Sequence, residues 1–180
     1  MFKSVRNSSA ALIVMLLALA ACGSTNPSTP EGGGAQSANQ PSRLLWPAPK
    51  DVPSRVADAG LELGPMGMAE HYHPTLRVVV RGTEMAVPPN IGVDPTTGAM
   101  SSLHTHEPDG TLHIEAKRRG QRFTLGQFFK EWGVPLTSRA VGGTQSNTGR
   151  VVVTSNGKRV SGEPGRLRLR PEQQIVVRVP

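Results

Sequence analysis

One stretch of the chain, from Phe123 to Gly133, carries both start and stop signals for a helix. Thr124 followed three residues later by Gln127 is a capping box, in which each side chain satisfies a backbone N–H that the first turn leaves unpaired. Phe123, just before the cap, is placed to pack on Phe128. Gly133 supplies a left-handed closing residue, and Pro135 forbids continuation. The spacing predicts a short helix over 125–132 with Leu125, Phe128, Phe129 and Trp132 on one face, as core residues rather than a stacking platform.

So short a helix leaves most of the core to strands. Residues 76–80 and 84–87 flank Arg81-Gly82-Thr83 as a hairpin, ended by Pro88-Pro89. Residues 111–116 alternate after the turn Pro108-Asp109-Gly110. A second hairpin is expected around Asn156-Gly157, and 166–170 and 174–179 read as closing strands. Arg166, Arg168 and Arg170 then form the outer face of a half-buried strand. The fold class expected is α+β: a small mixed β-sheet with one short crossing helix.

With 180 residues and 18% charged, the chain is of single-domain length and is not a disordered polyelectrolyte. Lys3 and Arg6 precede a short apolar run that closes in Leu19-Ala20-Ala21-Cys22, so residues 1–21 read as a secretory leader. The ending resembles the bacterial lipobox, which implies a lipidated, palmitate-bearing Cys22 and a protein anchored on the extracytoplasmic face of the cell membrane. Residues 22–43, rich in Ser, Gly, Pro and Asn, read as a flexible tether, and 44–180 as a single β-rich domain. No apolar run after the leader is long enough to span a bilayer. Loss of Lys3 and Arg6 lowers the net charge of +7 by two, to +5. The remaining basic residues are scattered, with Lys117-Arg118-Arg119-Gly120 as a loop tip, so solvated faces near anionic headgroups are expected and no nucleic-acid site.

All five histidines fall between 71 and 113: His71 and His73, His104 and His106, and His113, with Glu115 two residues on. On a strand, positions i and i+2 face the same way, so each His-x-His pair can present two imidazoles to one ion. Neutral imidazoles with a carboxylate and no thiolate suit copper, zinc, nickel or non-haem iron, and exclude a blue-copper centre. Met66 and Met68 add soft thioethers if they do not simply fill core gaps, which puts copper first and zinc second. Glu70, Glu107 and Asp109 lie close by in sequence. The chain lacks the glutamate that cupins place after their His-x-His, and its Asp109 is out of step with the metallo-β-lactamase motif.

Two resemblances add to this. Phe123-Thr124-Leu125-Gly126, Val153-Thr154-Ser155-Asn156-Gly157-Lys158 and the stretch from Leu169 to Ile175 resemble the β-grasp, soluble-ligand-binding modules of extracytoplasmic proteins. That implies a β-grasp-like order, with the first hairpin and the His113 strand as neighbours. The succession His71-x-His73, Leu103-His104-Thr105-His106, His113-Ile114-Glu115 and Phe123-Thr124-Leu125-Gly126-Gln127-Phe128-Phe129 resembles an actinobacterial-type family of secreted proteins and lipoproteins of unassigned activity. It implies the histidines as site residues and nothing more.

The expected function is a lipid-anchored, extracytoplasmic metal-binding protein that stores, delivers or senses copper. His71, His73, His104 and His106 are the expected ligands, His113 a fifth ligand or a supporting partner, and Glu115 the group orienting an imidazole. The rivals are a β-grasp module that binds an envelope protein, peptide or glycan without metal, and a small metal-dependent hydrolase or oxidase with Glu107 or Glu115 as base.

Overall fold

Residues 45–180 are described by a computed structural model; the expected leader, Cys22 and the tether lie outside the described residues. In chain order the elements are α1 (Val52–Asp58), β1 (Leu63–Gly64), β2 (Glu70–Tyr72), β3 (Thr75–Val80), β4 (Thr83–Met85), β5 (Met100–Ser101), β6 (Leu103–His104), β7 (His113–Ala116), α2 (Leu125–Trp132), β8 (Ala140–Val141), β9 (Thr144–Gln145), β10 (Val152–Ser155), β11 (Lys158–Arg159), a 3-10 turn (Pro164–Arg166) and β12 (Gln174–Val179). Sheets with only two helices among the described residues make the fold α+β.

The predicted helix is α2, and both capping-box bonds are present: Gln127 N donates to Thr124 Oγ1 at 3.3 Å and Thr124 N to Gln127 Oε1 at 3.0 Å. Gly133 closes it at φ 75°. Leu125, Phe128, Phe129 and Trp132 are all buried, against sheet residues such as Leu76, Val78, Ile175 and Val177. Thr124→Ala is therefore expected to lower stability by about 1 kcal/mol. A urea melt of the variant checks this, and an unchanged midpoint would remove the cap from the argument.

The larger sheet runs β11-β10-β12-β3-β4, with β12 parallel to β3 and the other pairs antiparallel. Both hairpins turn on two residues at positive φ, Arg81-Gly82 and Asn156-Gly157, which matches the twist of the flanking strands. Thr83 belongs to β4 rather than to the turn.

Three expectations are corrected. First, a second helix, α1, precedes the strands; Pro53 sits in its first turn, and Val52 and Val56 are buried. Second, 166–170 is not a sheet strand. Arg166 ends the 3-10 turn, and the chain then passes α2's start, with Leu125 N donating to Leu167 O and Leu169 N to Phe123 O. The alternation survives, since Arg166, Arg168 and Arg170 are exposed and Leu169 is buried, but the partner is a loop. Third, the strands do not form one sheet. A separate three-stranded sheet runs β2-β7-β6, and two further ladders pair β1 with β5 and β8 with β9. The His113 strand thus joins the first hairpin only along its approach: Leu76 N donates to Gly110 O, Leu112 N to Pro74 O, and Thr75 bridges Thr111.

Candidate metal centre

The histidines gather beside the three-stranded sheet because β7 lies between β2, which carries His71 and leads into His73, and β6, which carries His104 and leads toward His106. His104 is directly opposite His113, and His71 is opposite Glu115. Continuing the β2–β7 register by one residue sets His73 opposite His113 as well. Alternation then puts Leu103 and Ile114 on the other face, in the core, and the imidazoles together on this one. His113 is the middle of the row. Its ring centroid is 4.7 Å from His73, 4.7 Å from His106 and 5.4 Å from His104.

Two groups of three result: His71, His73 and His113, and His104, His106 and His113. Within each group one ring nitrogen per residue lies within 4.8 Å of the others. The two His-x-His pairs do not converge on a single point; they meet through His113. Nε2 atoms of His71 and His73 are 3.0 Å apart, and those of His104 and His106 3.1 Å. A tetrahedral ion with nitrogens at about 2.05 Å sets them about 3.3 Å apart, close to the spacing within each His-x-His pair, while His113 is held within 4.8 Å of both.

His104 is fully buried, and its Nδ1 lies 2.9 Å from the Ser101 carbonyl oxygen. That oxygen only accepts, so Nδ1 carries the proton and Nε2 offers its lone pair toward His106. Burial, with smaller contributions from His106, His113 and His71, pushes the His104 pKa down to about 4. The ring is thus a neutral donor across the physiological range. Burial, followed by His106 and His73, also lowers the His113 pKa, against opposing pulls from Glu107 and Glu115. The part of Ser101 has no mark in the sequence, because it is played by a backbone carbonyl that no residue type announces.

Glu115 is nearly buried, with Oε1 3.6 Å from His71 Nε2, longer than a hydrogen bond. Its Oε2 is buried with no hydrogen-bond partner. Such an orphan is costly, and a cation on the neighbouring imidazoles would supply the charge it faces. The donor chemistry therefore fits a metal ion. Glu107 reaches only to 3.9 Å from His113 Nε2 and is largely exposed. Glu70 accepts from Gly120 N and Asp109 from Thr111 N, so both hold turns. Met66 and Met68 are 49% and 88% exposed and fill no core gap.

The two groups differ at one residue, since His71 and His106 both reach the surface while His104 alone is buried. His71 is exposed beside a cleft of about 530 Å³ that His73, Tyr72, Arg168 and Arg170 also line, whereas the other group ends on buried His104. A larger groove of about 740 Å³, between α1 and α2, is lined by no histidine. Among the described residues no helix is long and apolar enough to cross a membrane.

Fold and site together define an α+β domain bearing two overlapping groups of three histidines, each of which could hold a metal ion. No protein-family model, curated protein or solved structure matches the chain.

Proposed function

We propose that this protein is a lipid-anchored, extracytoplasmic metal-binding protein of the cell envelope that holds or hands over copper. The observation that carries the reading is the pair of three-histidine groups, with their nitrogens within 4.8 Å of one another. Three imidazoles and a nearby carboxylate suit a borderline ion, and at a given nitrogen site Cu(II) outcompetes Zn(II). Copper therefore stands first and zinc second, on nitrogen donors rather than on the exposed thioethers. The membrane anchor rests on Cys22 and its leader. The core is read as β-grasp-like, supported by a helix in the crossover between two hairpins and by the parallel β3–β12 pair at the sheet's centre. The kinship suggested by the histidine and helix motifs belongs to the same reading.

The test is a titration of the purified, metal-free protein with Cu(I), Cu(II) and Zn(II), beside a His104→Ala/His106→Ala and a His71→Ala/His73→Ala/His113→Ala variant. Binding tighter than about 10 μM, roughly 7 kcal/mol, that the triple variant loses by at least tenfold supports the reading. No binding at that level in the parent would mean structural histidines and redirect attention to an envelope partner.

A further inference from the structure

We propose that the two histidine groups are successive positions for one ion, with His113 as the ligand held in common. The ion would arrive at His71 and His73, which line the cleft, and move to His104 and His106, of which His104 is fully buried and His106 is not, without leaving His113. This deepens the metal-binding reading above and rests on it.

Lone pairs set the limit. A neutral imidazole has a single unprotonated nitrogen. His113 belongs to both groups, so it can complete a three-nitrogen set for only one ion at a time. Filling both sets would require His113 to lose its remaining N–H and bridge as an imidazolate. The position of β7 between β2 and β6 makes the sharing geometric, since His73 and His104 flank His113 from opposite sides. No other histidine of the five belongs to both groups.

The two positions also differ in what surrounds them. The outer one opens on the cleft beside Arg168 and Arg170. At the inner one, the Ser101 carbonyl already fixes the His104 tautomer with Nε2 free to bind. Transfer breaks the bonds to His71 and His73 and forms those to His104 and His106. No electron moves. At each pair the ring that donates between the two Nε2 atoms need only carry its proton on Nδ1 instead.

The experiment uses the full chain and Zn(II), a redox-silent probe, with calorimetric stoichiometry, affinity by chelator competition, and loading rate by stopped flow. The variants are His71→Ala/His73→Ala, His104→Ala/His106→Ala, and His113→Ala with His113→Gln as a second version, each checked for folding by circular dichroism. The parent is expected to bind one ion. Each pair variant keeps one complete group and still binds one ion. Either His113 variant weakens binding by about 100-fold or more, since even a lost partner of a coordinated histidine costs up to that much. The His71→Ala/His73→Ala variant should reach its final occupancy more slowly than the parent.

Two tight ions in the parent, affinity indifferent to both folded His113 variants, or loading at the parent rate without His71 and His73 would each overturn the relay while leaving metal binding intact. A parent that binds no zinc would overturn the relay and the zinc reading together.

Discussion

Gly110→Ala is expected to destabilise the protein by roughly 3 kcal/mol or more, far beyond what a surface glycine costs. Gly110 has φ 80°, a conformation that costs an L-residue about 1–2 kcal/mol. A Cβ there would also stand 2.1 Å from the Leu76 carbonyl oxygen, an atom of a core strand that has no room to retreat. Overpacking of that kind adds about 1–3 kcal/mol. Gly82→Ala is the control: its φ is 81°, yet nothing lies within 4 Å of the added carbon, so only the backbone penalty remains. Urea midpoints of the two variants decide the matter. A Gly110→Ala loss no larger than that of Gly82→Ala would show that the approach of the Gly110–Leu112 chain to Pro74–Leu76 is not a constraint. Because His73 precedes Pro74 and His113 follows Leu112, the same variant is expected to disturb the spacing of the imidazoles.

The second large effect concerns a residue away from the histidines. Glu131, on α2, is fully buried, and both carboxylate oxygens lack a hydrogen-bond partner. Burial pushes its pKa up to about 8; the Ser101 hydroxyl is near enough to favour the ionised form a little, though not in hydrogen-bond geometry, and no charged group contributes. The folded state thus binds a proton that the unfolded state releases above about 4.5. Stability is fully present below that value and is lost as pH rises toward 8. His104 has the opposite sign: its depressed pKa makes stability fall as pH drops from about 6.5 toward 4. From these two groups alone, the parent is level between about 4.5 and 6.5 and declines from there to 8.

Glu131→Gln keeps the shape and removes the ionisation. At about 1.4 kcal/mol for each pH unit between the two pKa values, it should gain a few kcal/mol at pH 8 and lose the alkaline decline. Denaturant melts at pH 5, 6.5 and 8 test this. A variant whose pH dependence parallels the parent's would mean that Glu131 is already ionised in the fold.

Much of this was legible in the residues, and the exceptions have physical causes. α2 was legible because capping and closing are local: Thr124, Gln127 and Gly133 act within a turn of their own backbone. The His-x-His pairs were legible for the same reason, since two-residue alternation needs no partner strand. That β7 separates β2 from β6 was not, because pairing between strands leaves no mark at a fixed spacing. Alternation at 166–170 correctly reported extended backbone with leucines inward, yet it cannot say whether a sheet or a helix start lies alongside. α1 carries only Val52 and Val56 as buried apolar residues, too few for a periodic signal, although Asp51 followed by Pro53 marks its start. Glu131 borders the apolar face of α2, and nothing in its spacing marks the burial that the rest of the domain imposes on it.

The short strands of the histidine sheet suggest a mechanical role for whatever occupies it. β2, β6 and β7 have only 3, 2 and 4 residues, so few backbone bonds hold them. A slip of β7 by one residue would turn His113 and Glu115 toward the core. An ion gripping His73 and His113 would tie together points about 40 residues apart, and one gripping His104 and His113 points about 10 apart, the kind of closure a disulfide provides by restricting the unfolded chain. With Cys22 as its only cysteine, this chain has no internal disulfide to call on, and a bound ion would be its removable cross-link.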